Sequence, residues 1–121
     1  MAKIKLSKLD ALELGNLDVE RKFSDVRSVC RKYRLLLESA AAGEIFNVCS
    51  GRAYSLRYIL DAMAKIAGYE IQVDVNSAFV RENEINHLVG CSQRLHQAIG
   101  EQRYPSIEET LRWMYESDTP Q

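Results

Sequence analysis

The stretch GNLDVERKFSDV, residues 15–26, decides how the fold of this chain is interpreted. It begins with Gly15, which permits close approach of the backbone to a ligand or to a neighbouring segment. It ends near Ser24 and Asp25, either of which predicts a helix N-cap. The preceding residues, ALEL, alternate enough to predict a short strand that runs into a loop at GNL. A strand, a loop and a helix start are therefore expected in that order.

The helix that begins at this cap has a continuous apolar face. Its apolar residues recur at three- and four-residue steps on one side of a helix that ends near Ser39, and the AAAG run finishing at Gly43 is expected to stop it. The residues on this face are Val26, Val29, Cys30, Tyr33, Leu36 and Leu37. Such a face predicts a helix that is packed on one side.

Two further strands and a second helix are predicted after Gly43. EIFNVCS, residues 44–50, is a short apolar run bounded by Gly43 and Gly51, which predicts a buried strand. Ser55 then opens a helix with a clean apolar stripe, and Gly68 closes it. The following EIQVDV alternates apolar and polar residues, as a half-exposed strand does.

The last part of the chain predicts two helices. Ser92 is a candidate cap for a short helix that ends at Gly100, and Ser106 with Glu109 has the spacing of a capping box before the final helix. The chain contains no internal repeat and no long linker. We therefore expect one small mixed αβ domain of the α/β class over residues 1–121.

Composition excludes several classes of function. The chain has 121 residues, 46% of them hydrophobic, and its 16 basic and 17 acidic residues give a net charge of −1. Near-neutral charge opposes a nucleic-acid partner, and no apolar run approaches the ~20 residues of a membrane span. Without the apolar centre of a signal peptide in MAKIKLSKLD, we expect a cytoplasmic protein without a membrane partner.

The cysteines predict neither a disulfide framework nor a metal site. They are three in number, widely spaced and without a Cys-x-x-Cys pair, which indicates reduced, mostly buried thiols. Cys91 with His87 or His96 could supply zinc ligands, but short repeated spacing is absent. No metal site is expected.

Several separated segments together resemble a known family. They are GNLDVERKFSDV, the segment NVCSGRAYSLRYIL at residues 47–60, and VRENEINHLVG, which contains RENE at residues 81–84. From about Ala11 to Met114 the chain resembles the C-terminal substrate-binding domain of an extended short-chain dehydrogenase/reductase, in the NAD-dependent epimerase/dehydratase family. FSDVRSV and NVCSG make it more similar to the GDP-4-keto-6-deoxy-D-mannose reductases, which make GDP-rhamnose, than to the GDP-mannose 4,6-dehydratases.

The resemblance implies a site for a GDP-sugar. Arg21 and Arg81 match arginines that hold phosphate oxygens, and Glu84 matches a glutamate that accepts hydrogen bonds from ribose hydroxyls. Asn16, in the G-N-L segment, completes the predicted substrate-binding set. Without the family, the spacing favours a surface arginine at Arg21 that pairs with an aspartate at position 18 or 25, and a local surface ion pair between Arg81 and Glu84.

The catalytic parts of such enzymes are not found in this sequence. It contains neither G-x-x-G-x-x-G nor G-x-G-x-x-G, and no tyrosine is followed four residues later by lysine. Although the family uses NAD(P), we expect this chain alone to bind no cofactor, to have no catalytic residue and to be inactive. A separate chain with a Rossmann domain is one expected partner.

Two further expectations concern what the lobe does by itself. Such a lobe, taken alone, should have exposed apolar surface, which predicts a homodimer. Lys22, Glu82 and Cys91 also depart from the family pattern, which usually has Asp, Pro and Asp at these positions. An alternative function is therefore a non-catalytic interaction or remnant module whose site has decayed.

Overall fold

The computed structural model describes residues 11–39 and 42–117. Within these ranges the chain forms short strands and helices of a mixed αβ fold, as the sequence predicts. The strands are β1 (Leu12–Leu14), β2 (Glu20–Arg21), β3 (Tyr54–Ser55), β4 (Val73–Val75) and β5 (His87–Leu88). The helices are α1 (Val26–Glu38), α2 (Leu56–Ala67), α3 (Gln93–Ile99) and α4 (Ile107–Ser117), with a 3₁₀ helix at Ser77–Phe79.

The strands form two small sheets. In one, β1 pairs in parallel with β4, so that Leu12 lies opposite Val73. In the other, β2 lies between β3, which is antiparallel to it, and β5, which is parallel. Strands β2, β3 and β5 are only two residues long, and the sequence patterns did not predict them. Their pairing nevertheless brings the loop before β5 next to β2.

The predicted helix caps are confirmed except at Ser92, which precedes α3 but makes no side-chain capping hydrogen bond. The Asp25 side chain accepts from the Arg27 amide at the start of α1, and Ser55 does the same for the Tyr58 amide in α2. Gly68 ends α2 in the left-handed region, with φ of 78°. At α4, the Ser106 hydroxyl accepts from Glu109 N while the Glu109 carboxylate accepts from Ser106 N.

The hydrophobic core lies between α2 and α4. Its buried members are Ala62, Met63, Ile107 and Leu111, and partly buried residues pack around them. Leu95 on α3 is also fully buried, and α3 packs against α1. None of the described helices is both long enough and apolar enough to cross a membrane.

The predicted buried strand at residues 44–50 is wrong. The segment forms no strand, and Ile45 on it is 82% exposed. Strand formation needs a neighbour to pair with the backbone, and no described strand pairs with this segment. The predicted end of the first helix near Ser39 is confirmed, because α1 ends at Glu38 with Ser39 as its cap. Part of the AAAG run lies outside the described residues.

Helix α1 exposes part of its apolar face to solvent, although the sequence predicts that this face is packed. Val26, Tyr33 and Leu37 are 59%, 56% and 85% exposed. On the opposite side, Ser28 and Lys32 are buried. Val29 and Leu36 of the predicted apolar face are half-buried. The prediction that the lobe has exposed apolar surface is confirmed, while the most buried residues of α1 are polar.

Candidate functional site

The second sheet brings together two of the predicted site residues. Arg21 ends β2, and the loop containing Glu84 precedes β5, whose Leu88 is in register with Arg21. The Glu20 amide donates to the Asn86 carbonyl at 2.7 Å, which fixes this loop beside β2. As a result, Arg21 Nη2 lies 3.9 Å from Glu84 Oε1, although 63 residues of sequence separate them.

Glu84 keeps unused hydrogen-bonding capacity at this point. Its Oε2 atom is buried and has no hydrogen-bond partner among the residues that the structure describes. A buried carboxylate oxygen without a donor is unusual in folded proteins and indicates that a donor is supplied from elsewhere. Vicinal hydroxyl groups are donors of the required kind.

The structure contradicts both local alternatives for Arg21. Asp18 instead pairs with Arg57, at 3.1 Å between Oδ1 and Nε. Asp25 pairs with Arg27, at 2.5 Å between Oδ2 and Nη2. The side chain of Arg21 is therefore directed to Glu84 and to its neighbouring backbone, where Nη1 donates to the Glu20 carbonyl at 2.9 Å.

The other two predicted residues do not join this pair. Arg81 is exposed, and within residues 11–39 and 42–117 no ion pair links it to Glu84. The Asn16 side-chain oxygen accepts from the Asp18 amide at 3.0 Å, which closes a local turn before β2. Asn16 thus shapes the loop that leads to Arg21 rather than contacting it.

Lys22 has a structural contact that sequence patterns did not predict. Its ammonium donates to the Gly90 carbonyl and lies 3.6 Å from Cys49 Sγ, which ties β2 to the loop after β5 and to the segment after Gly43. A cavity of about 540 Å³ opens beside it, with Cys91 and His96 in its wall. The off-pattern lysine therefore takes part in holding the second sheet to its neighbours.

The cysteines and histidines form no recognisable metal centre. In the described part of the chain, no group of three or more His, Cys, Asp or Glu side chains is placed to hold a metal ion. His87 lies against Glu20 instead, at 2.6 Å between Nδ1 and Oε2. Cys30 and Cys91 are exposed and Cys49 is half-buried, so the prediction of mostly buried thiols is wrong.

Asp25 connects the first helix to the last. Besides capping α1 and pairing with Arg27, its Oδ2 accepts from the Thr110 hydroxyl at 2.8 Å. The hydrogen bond from the Arg27 side chain holds the pKa of the Asp25 carboxyl well below its usual range, against the opposing effect of burial. The cap was predictable from sequence, whereas the contact with Thr110 was not.

Comparison with known proteins identifies the family of the chain. A family model described as GDP-mannose 4,6 dehydratase matches residues 1–114. The chain belongs to this family. GDP-6-deoxy-D-mannose reductase of Pseudomonas aeruginosa is 36% identical over 101 residues, which are 84% of this chain and 33% of that enzyme. The chain thus spans about a third of the length of this curated relative.

Solved structures of family relatives show the same lobe. The structure of RMD from Pseudomonas aeruginosa complexed with NADPH is 34% identical, with a TM-score of 0.83 over 97% of this chain and 38% of that one. A proposed epimerase from Burkholderia cenocepacia J2315 is 47% identical, with a TM-score of 0.91 over the same shares. The resemblance inferred from sequence is confirmed: the chain matches the C-terminal portion of an extended short-chain dehydrogenase/reductase.

Proposed function

We propose that this chain binds the nucleotide end of a GDP-sugar. In this proposal Arg21 and Arg81 contact the pyrophosphate, Glu84 accepts from the ribose hydroxyls, and Asn16 holds the loop before Arg21. Two guanidinium groups offset about two phosphate charges, and a carboxylate accepts two neighbouring O–H donors. The sugar chemistry comes from the relatives, which are named for GDP-mannose and GDP-6-deoxy-mannose.

The observation that carries the proposal is the apposition of Arg21 with Glu84. At 3.9 Å the two groups lie at the limit of an ion pair and form no hydrogen bond with each other, so both keep capacity for a ligand. The buried, unpartnered Oε2 of Glu84 points to the same conclusion. Arg81 is on the same loop as Glu84 and is exposed, which leaves its guanidinium accessible to a ligand.

We propose that the chain is not catalytic by itself. Its sequence contains neither a glycine-rich dinucleotide loop nor a Tyr-x-x-x-Lys pair, so these residues do not fit an NAD(P) site. When bound, that cofactor supplies or accepts a hydride, and a Rossmann domain outside these 121 residues would have to hold it. The role assigned to this chain is to hold the substrate.

Calorimetric titration with GDP and with GDP-mannose tests the binding site. Saturable binding is expected, and Arg81→Ala and Glu84→Gln should each weaken it about tenfold to a hundredfold, the range for lost hydrogen bonds to charged groups. Arg34→Ala removes an equally charged, exposed side chain on α1 and should leave the affinity unchanged. No binding at millimolar nucleotide would reject the proposal.

We further propose that the exposed apolar face of α1 docks on a Rossmann-type domain. Val26, Tyr33 and Leu37 form one stripe on α1, and Ile45 is also exposed. The relatives have chains more than twice as long, and one of them was solved with NADPH, which supports a cofactor domain as the occupant. Coexpression of this chain with an NAD(P)-binding Rossmann domain from a relative should give a one-to-one complex that Leu37→Glu disrupts.

Light scattering on the chain alone tests whether a second copy of the chain covers the stripe instead. A stable homodimer that Leu37→Glu converts to a monomer would show that a second copy covers the stripe, which would overturn docking of a Rossmann domain there. Arg34→Ala, on the same helix, serves as the control in both experiments because it changes charge without removing apolar surface.

One observation favours a second candidate function, a non-catalytic interaction module with a decayed site. Lys22, which departs from the family pattern, is used to hold Gly90 and Cys49 rather than being available to a ligand. This alternative predicts that Arg21→Ala and Glu84→Ala change stability slightly and alter no nucleotide interaction. Loss of specific GDP binding in either variant would reject it.

A further inference from the structure

The inward face of α1 carries a buried positive charge. Lys32 is 3% exposed, and its ammonium donates to the Cys49 carbonyl at 2.8 Å while lying 4.4 Å from the ring centroid of Tyr104. Within the described ranges no carboxylate forms an ion pair with it. Burial lowers the pKa of Lys32, since the charged form loses hydration that one carbonyl and one ring replace only in part.

Two unpartnered hydroxyl groups accompany this ammonium. Ser28 lies one helical turn before Lys32 and is 6% exposed. Its Oγ and the hydroxyl of Tyr104 are both buried, and neither has a hydrogen-bond partner in the part of the chain that the structure describes. All three side chains line one cavity of about 790 Å³, between α1 and the segment that leads into α4. Buried hydroxyls without partners are exceptions that call for a missing acceptor.

The carboxylates of this cavity do not fill that role, because each is already engaged. Asp25 accepts from Arg27 and Thr110, as described above. Glu108 accepts from the Tyr58 hydroxyl, and Glu109 accepts from the Ser106 amide at 2.7 Å. Arg52 and Arg103 also line the cavity. The Lys32 ammonium and the Ser28 and Tyr104 hydroxyls are thus donors of this cavity that no carboxylate of its lining accepts from.

We propose that this cavity binds an oxyanion, a carboxylate or phosphate group of a small ligand, held by the Lys32 ammonium with the Ser28 and Tyr104 hydroxyls. An oxyanion supplies acceptor lone pairs for these three donors and a negative charge to pair with the Lys32 ammonium. Rotation about the Cα–Cβ bond of Ser28 turns its hydroxyl between staggered positions, so donation needs no backbone change. The site shares no residue with the Arg21–Glu84 pair.

Titration of the purified chain with inorganic phosphate, and separately with succinate, tests the proposal by amide NMR. Saturable shifts are expected at residues 28–32 and 104, and the tighter of the two probes identifies the preferred oxyanion. Lys32→Met should weaken binding about tenfold or more, the effect of losing a charge-assisted hydrogen bond. Lys65→Met removes the same charge from an exposed position on α2 and should leave the affinity unchanged.

Tyr104→Phe provides a second test that keeps the ring over Lys32 and removes only the hydroxyl. It should weaken binding severalfold. Equal affinity in Lys32→Met and in the unaltered chain, or shifts confined to residues near Arg21 and Glu84, would overturn the proposal. GDP titration of Lys32→Met separates the two sites, because GDP affinity should be unchanged there whether or not the oxyanion site exists.

Discussion

Asp25→Ala should destabilise the chain more than any other single polar substitution that we consider. The Asp25 carboxylate caps α1, pairs with Arg27 and accepts from the Thr110 hydroxyl, while being only 6% exposed. Alanine removes all three interactions at once. It also leaves Thr110 with a single acceptor, the Ser106 carbonyl at 2.9 Å.

The magnitude follows from the separate contributions. Loss of an N-cap costs about 1 kcal/mol, and loss of a buried hydrogen bond to a charged acceptor costs ~1.5–3 kcal/mol. The ion pair adds about 0.5 kcal/mol, because the Arg27 side chain is 44% exposed and therefore screened by solvent. The sum is about 3–4.5 kcal/mol of unfolding free energy, or a decrease of ~12–18 °C in the unfolding midpoint at ~4 °C per kcal/mol.

Urea denaturation of Asp25→Ala beside the unaltered chain measures this difference. Asp25→Ser retains a capping oxygen and should recover about 1 kcal/mol, and Thr110→Val isolates the interhelix hydrogen bond. The folded-state pKa of Asp25 is depressed, so its stabilisation is present above the unfolded pKa of about 3.9 and is lost as pH falls below it. A loss below ~1 kcal/mol at pH 7, or a difference that does not shrink in acid, would refute this reasoning.

Two other substitutions test the packing. Gly15→Ala should lower the unfolding free energy by ~1–3 kcal/mol, because its Cβ would lie 2.7 Å from the Phe79 carbonyl oxygen. Gly90→Ala should be close to neutral, because its Cβ would have its nearest neighbour at 3.7 Å. Equal thermal midpoints for the two variants would contradict this. Leu95→Ala should cost ~2–5 kcal/mol in chemical denaturation, because Leu95 is fully buried, whereas Leu37→Ala at an 85% exposed position should change stability by less than ~0.5 kcal/mol.

Local signals in the sequence predicted the helices well. Asp25, Ser55 and the pair Ser106 and Glu109 make the expected capping hydrogen bonds, since a cap depends on residues within one turn. Gly15 makes the close approach expected of it, to the backbone of Phe79. Such features are encoded within a few residues of sequence.

Features that depend on neighbours distant in sequence could not be predicted. Periodicity identified the apolar stripe of α1 but cannot say what covers it, and the structure leaves Leu37 exposed while burying Lys32. Residues 44–50 have the composition of a strand, yet they lack a pairing partner.

The candidate site could be predicted only in part, because it too depends on contacts between residues that are distant in sequence. The family motif identified Arg21 and Glu84, but their contact depends on the two-residue pairing of β2 with β5. The sequence could not predict that the hydroxyls of Ser28 and Tyr104 lack hydrogen-bond partners, because the partners of a buried hydroxyl are determined only by the fold around it.

The position of the core along the chain has a consequence for synthesis on the ribosome. Two of its four buried members, Ile107 and Leu111, belong to α4, the last helix described, whereas Ala62 and Met63 are translated much earlier. At a translation rate of ~5–20 residues per second, α4 is synthesised about 2–9 s after α2. During that interval the nascent chain has an apolar helix face without its partner, which is a surface prone to aggregation.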